Sequence, residues 1–96
     1  MIAVIATLKS KEGKEKELVG VLTALGSKVL ANESDCKLYQ LCRSKSDPQT
    51  YVLMERYTDG AALAKHSNTE YFKAGIPKMI ACCEGPPQIA LYDEIE

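Results

Sequence analysis

Few folds accommodate the segment Ile2–Lys9, IAVIATLK. In an extended strand Ile2, Val4, Ala6 and Leu8 share one face, while Ala3 and Ile5 are apolar on the other. A strand that is apolar on both sides has to be covered on both. Helices of the same chain can supply one cover. In a chain of 96 residues a second subunit is the natural source of the other, so a homodimer is expected. The length bounds a single domain, residues 1–96.

The rest of the chain supplies the helices and the remaining strands. Leu18, Val21, Leu22, Leu25, Val29 and Leu30 recur at helical spacing with charged residues opposite, which predicts a helix ending near Asn32. Gly20 and Gly26 weaken that helix by about 1 kcal/mol each relative to alanine, so they are expected to mark close packing or, as the second choice, a ligand-facing wall. Asn32-Glu33-Ser34-Asp35 reads as a loop. Cys36–Ser44 follows as a strand with Cys36, Leu38, Gln40 and Cys42 on one face and Tyr39 and Leu41 on the other. Asp47-Pro48 turns the chain into an antiparallel third strand from Tyr51. Glu70–Cys83 is helical in pattern, and Pro77 predicts a kink or a division into two short helices. Gln88–Ile95 is the last strand. The order β-α-β-β-α-β is that of a ferredoxin-like α+β fold, an antiparallel four-stranded sheet with helices on one face. Its bare face would pack against a second copy.

Chemistry concentrates in Tyr51–Phe72. Strand alternation sets Tyr51, Leu53, Glu55 and Tyr57 on one face, so Glu55 points among large side chains where a solvated carboxylate is out of place. Thr58 or Asp59 can cap a short helix over Ala61–Lys65, which delivers His66, the chain's one histidine, at its end. Tyr71 and Phe72 open the next helix. A surface ion pair for Glu55 and a dipole contact for His66 are the plain alternatives.

The sequence Tyr-x-x-x-Glu-x-aromatic, Ala-Leu-x-x-His, Thr-x-x-Phe, carried by Tyr51, Glu55, Tyr57, Ala62, Leu63, His66, Thr69 and Phe72, resembles the antibiotic biosynthesis monooxygenase family of small dimeric α+β barrels. Gly13-Lys14-Glu15, Cys36, Tyr39 and Gly85-Pro86 extend the resemblance over nearly the whole chain. It implies a cofactor-independent monooxygenase acting on a quinol-like or polyphenolic aromatic with O₂. His66 would be the base, Glu55 would orient or hydrogen-bond near it, and Tyr51, Tyr57, Tyr71 and Phe72 would meet the substrate. A phenol of pKa about 10 and an imidazole of about 6.5 leave that proton transfer about 5 kcal/mol uphill, so the cavity must stabilise the phenolate. Tyr71 stands where family members often have a second histidine, and Tyr57 where a tryptophan is frequent. Thr7 and the absence of tryptophan separate the chain from the haem-degrading relatives.

Composition narrows the partners. A net charge of −1 offers nothing to nucleic acid or to a membrane surface, and the apolar run after Met1 is too short for a secretory or spanning segment, so a cytoplasmic protein is expected. No Gly-rich nucleotide fingerprint and no zinc spacing is present, so neither cofactor nor metal is expected. Cys36 and Cys42 lie about 20 Å apart along a strand and cannot bridge. Cys82 and Cys83 are expected to be inert unless exposed. Two other readings of the pocket stand beside the monooxygenase. One is an isomerase of a small carbonyl or phospho-sugar compound, which needs a basic phosphate site. The other is a non-catalytic dimeric ligand-binding barrel.

Overall fold

The computed structural model describes residues 1–96. Strand β1 (Ile2–Lys9) leads to helix α1 (Glu15–Asn32), strands β2 (Cys36–Arg43) and β3 (Thr50–Tyr57), helices α2 (Gly60–Ser67) and α3 (Glu70–Ala81), and strand β4 (Gln88–Asp93). The strands form one antiparallel sheet in the order β2-β3-β1-β4, which is the ferredoxin-like arrangement. Hydrogen-bond partners flank β1 on both edges, with Val4 opposite Glu55 in β3 and Leu91 in β4.

Packing separates the two faces of the sheet. Val4, Ala6, Leu8, Tyr51, Leu53 and Tyr57 are buried beneath the helices. α1 contributes Leu18, Leu22, Leu25 and Val29, spaced to fall on one stripe of the helix. Truncating such a residue, for example Leu22→Ala, destabilises a core by about 2–5 kcal/mol. The opposite face has no cover from this chain, and Leu38, Met54 and Tyr92 lie exposed there. Arg56 also points that way, and its guanidinium forks onto both carboxylate oxygens of Glu94 at 2.8 and 2.9 Å.

Three local features differ from the sequence expectation. A bulge shifts the β2–β3 register between Cys36 and Leu38, so Cys36 pairs with Tyr57 and is buried, whereas Leu38, Gln40 and Cys42 face outward. The extra residue inverts the alternation of a strand that a strict period of two would keep on one face. Helix α3 runs unbroken through Pro77. Met79 beyond the proline is buried and Ile76 before it packs on the core, so the segment is held as one helix and not divided into two, although the proline lacks an amide. Gly20 has no atom within 4 Å of where a Cβ would stand, so close packing does not explain it.

The candidate active site

Capping groups bring the site together. α2 starts where the Ala62 amide donates to Asp59 Oδ1 at 2.8 Å, and α3 where the Phe72 amide donates to Thr69 Oγ1. The Thr69 hydroxyl also donates to the carbonyl of His66 at 2.9 Å, so one threonine ties the end of α2 to the start of α3. That junction sets His66 and Phe72 side by side, their ring centroids 4.7 Å apart. Tyr57 and Tyr39 pack on the same imidazole at 5.3 and 5.8 Å. His66 is buried, in the last turn of a helix that runs to Ser67.

A cavity of about 390 Å³ lies between the helices and the sheet. Thirteen of its seventeen lining residues are apolar, and the polar ones are Tyr39, Glu55, His66 and Ser67. The volume suits a small organic ligand. Ile89 and Leu91 of β4 line it too and remain 58% and 59% exposed, so the cavity opens toward that edge of the sheet.

Sequence reasoning missed one residue that the fold brings to the centre of the site. Glu33 follows the last turn of α1, where its amide closes the helix on the Val29 carbonyl at 2.9 Å. Its side chain reaches His66 Nδ1, with oxygens at 3.0 and 3.1 Å, and also accepts a hydrogen bond from the Tyr71 hydroxyl. Glu55 does not touch the imidazole through a hydrogen bond. It accepts from the Tyr57 hydroxyl at 2.6 Å. Burial pushes the Glu55 carboxyl above its ordinary range, against the opposing pull of the Tyr57 hydrogen bond. Burial and the adjacent Glu55 hold the Tyr57 hydroxyl firmly protonated, and burial does the same for Tyr39. Tyr71 is pushed up to about 12 by burial and by its bond to Glu33.

The remaining aromatic candidates divide. Phe72 lines the cavity, as does Tyr39, which the sequence placed on β2 without a role. Tyr57 stands one layer behind, against His66 and Glu55. Tyr71 faces a separate groove between α1 and α3. Tyr51 is buried four residues from Glu55, about 13 Å along the strand, with a hydroxyl that has no protein partner. All four cysteines are free. Cys82 and Cys83 are buried, with Cys82 Sγ donating to Glu17 at 3.2 Å and its thiol pushed up by burial and that carboxylate, which leaves them without the marks of reactive thiols. No three histidine, cysteine or acidic side chains gather into a metal-binding group.

Comparison with known proteins decides the family. The profile described as Antibiotic biosynthesis monooxygenase matches residues 1–78. The chain belongs to the antibiotic biosynthesis monooxygenase family. A Caulobacter crescentus protein described as a candidate antibiotic biosynthesis monooxygenase shares 41% identity with this family member, at a TM-score of 0.95 over 99% of this chain and 90% of that one. A second structure, described as an antibiotic biosynthesis monooxygenase, is 28% identical with a TM-score of 0.90 over the whole of both chains. A Mycobacterium tuberculosis protein at 22% identity shares the fold, with a TM-score of 0.91 over 99% of this chain and 95% of that one. No protein of curated function matches. The family and the chain's shape support a monooxygenase-like small-molecule function, and no helix is long and apolar enough to cross a membrane.

Proposed function

We propose that this family member is a cofactor-independent monooxygenase that oxidises a quinol-like or polyphenolic aromatic with O₂. The observation that carries this reading is the apolar cavity of about 390 Å³ in which His66 and Glu55 are the sole acid–base pair. The volume is enough for a small aromatic, and a phenolic hydroxyl beside His66 would find a base there. Removing that proton makes the ring electron-rich enough to reduce O₂ directly. A phenol then takes one oxygen atom at a ring carbon and leaves as a quinone, while the other atom leaves as water. The substrate supplies all four electrons, so the reaction calls for no flavin or metal.

Each side chain has a task in this reading. His66 accepts the phenolic proton, and Glu55, which lines the same cavity and is held by the Tyr57 hydroxyl, orients the substrate by hydrogen bonding. Phe72 forms the aromatic wall with Tyr39. Tyr57 holds Glu55, Tyr71 lies behind the imidazole, and Tyr51 closes the far end of the strand. Residues 1–96 act as one domain of a cytoplasmic homodimer, with Leu38, Met54 and Tyr92 of the bare sheet face buried between copies. Sedimentation at micromolar concentration should show the dimer, and a folded monomer there would remove this part of the proposal. The phospho-sugar isomerase is disfavoured because no lysine or arginine lines the cavity.

Oxygen uptake with a panel of hydroquinones and hydroxynaphthalenes, in the presence of chelator, tests the reaction. Turnover is expected for a flat apolar member of the panel. No uptake with any of them, together with saturable binding of the same compounds, would establish the non-catalytic ligand-binding barrel instead.

A further inference from the structure

The imidazole of His66 has two different neighbourhoods. Nδ1 faces Glu33, and the residues that line the cavity include His66 but not Glu33. The carboxylate therefore approaches from behind, on the side away from the substrate space. Nε2 has no hydrogen bond within the protein and is the nitrogen left to reach the cavity. The same carboxylate receives the Tyr71 hydroxyl, so two donors converge on Glu33 and fix both of its oxygens. The backbone fixes its root: the Glu33 amide ends α1 and its carbonyl accepts from the Cys36 amide at 3.1 Å, at the start of β2.

We propose that Glu33 is the positioning residue of this site: by accepting the Nδ1 proton it holds His66 in the tautomer whose Nε2 lone pair faces the cavity. A carboxylate has acceptors only, so the nitrogen it bonds must carry the hydrogen, and the neutral ring then has its lone pair on the other nitrogen. The alternative tautomer would put a lone pair against the carboxylate and a hydrogen toward the substrate, where no phenolic proton could be accepted. The inference rests on the reading of His66 as the base, and it adds the residue that makes that base competent. Glu33 touches no substrate.

One histidine in the chain makes the test direct, because every imidazole ¹⁵N signal belongs to His66. Imidazole ¹⁵N shifts of the wild-type protein, recorded on the neutral limb of its titration without substrate, should show the Nδ1–H form in about ten-fold excess or more, as a hydrogen bond to a charged acceptor sustains. Glu33→Ala should lose that excess and move toward the Nε2–H form that free histidine favours. A predominant Nε2–H form in the wild type overturns the proposal, as does an unchanged tautomer in Glu33→Ala. Should that variant not fold, the wild-type tautomer decides alone. The kinetic arm uses the best hydroquinone: Glu33→Ala should lower kcat about ten-fold or more with little change in KM, whereas a general loosening of the site would raise KM. Absence of any wild-type turnover defeats the monooxygenase reading and leaves the tautomer measurement to judge Glu33 by itself.

Discussion

Glu33 and Glu55 make a natural pair for comparison. Each is a carboxylate near His66, and each receives the hydroxyl of a tyrosine, Tyr71 in one case and Tyr57 in the other. They differ in which side of the imidazole they occupy. Glu33 sits on a helix end behind the ring and bonds Nδ1, while Glu55 projects from the sheet into the cavity and leaves the ring alone. Glu55 is pushed toward its neutral form because burial among apolar side chains outweighs the opposing pull of its hydrogen bond from Tyr57. The same functional group thus holds the base in one place and faces the ligand in the other. Chemistry alone does not assign a role to a carboxylate; the side from which it approaches does.

The largest expected effect is at the group between them. Replacing His66 by alanine should lower kcat by about 10²–10⁴-fold, the usual contribution of a positioned base. Because His66 is buried against Glu33, the truncation should also destabilise the fold by about 1–3 kcal/mol through the acceptor it leaves unpaired. His66→Gln keeps a hydrogen-bonding group near Glu33 and supplies no base, so it should recover part of the stability and none of the rate. Oxygen uptake and urea denaturation on both variants separate the two losses. Wild-type turnover in His66→Gln would break the distinction between the two carboxylates, since neither would then serve a base.

Half of this pair could be read from the sequence and half could not, for a physical reason. β3 alternates with a period of two and its helix-facing residues Tyr51, Leu53, Glu55 and Tyr57 are all buried, so Glu55 was legible as a carboxylate in apolar company. Glu33 lies in the polar run Asn32–Asp35, 33 residues from His66 and 38 from Tyr71, and no local period connects them. Topology does. The start of β2 pairs with the end of β3, Cys36 opposite Tyr57, so the residues just before Cys36 stand beside those that open α2. The Thr58 amide donates to the Asp35 carbonyl at 3.0 Å as a direct consequence. An acidic residue at the α1–β2 junction of this fold is therefore a neighbour of α2, a signal that the hairpin reading contained without its being drawn out. The bulge at Lys37 and the unbroken α3 lacked even that, because both depend on side chains packing from elsewhere in the chain.

The hydroxyl that holds Glu55 should matter more than the one that holds Glu33. Tyr57 is wholly buried, and Tyr57→Phe leaves a buried carboxyl without its donor, which should destabilise the fold by about 1–3 kcal/mol in urea denaturation. A loss smaller than that of Tyr71→Phe would reverse the order proposed for the two sides of the site.

Glu55→Gln probes the same carboxyl through pH. In the unfolded chain Glu55 ionises at its ordinary value of 4.5, while burial raises it in the fold. Above 4.5 the unfolded chain therefore holds fewer protons than the native one, and wild-type stability falls as pH rises until the folded carboxyl has itself ionised. The glutamine variant lacks that fall. Its Tm relative to wild type should rise from acid toward neutral pH, and a difference that stays flat would mean the carboxyl is as well solvated in the fold as in the unfolded chain.

The smallest effect belongs to Tyr71→Phe. Its ring is only partly buried, on the wall of the α1–α3 groove, and its packing survives the loss of the hydroxyl. What disappears is one of the donors on Glu33, and the other, His66 Nδ1, remains. A water from the groove can take the place of the phenol at a partly exposed site, so the loss should be about 0.5–1.5 kcal/mol, the net worth of an ordinary hydrogen bond. The His66 tautomer should stay as in the wild type, because Nδ1 keeps its acceptor. Urea denaturation and the single imidazole's ¹⁵N shifts check both points on one sample. A tautomer that changes in Tyr71→Phe would move the positioning role from Glu33 alone to the Tyr71–Glu33 pair, and would make the rear of the imidazole as demanding as its face toward the cavity.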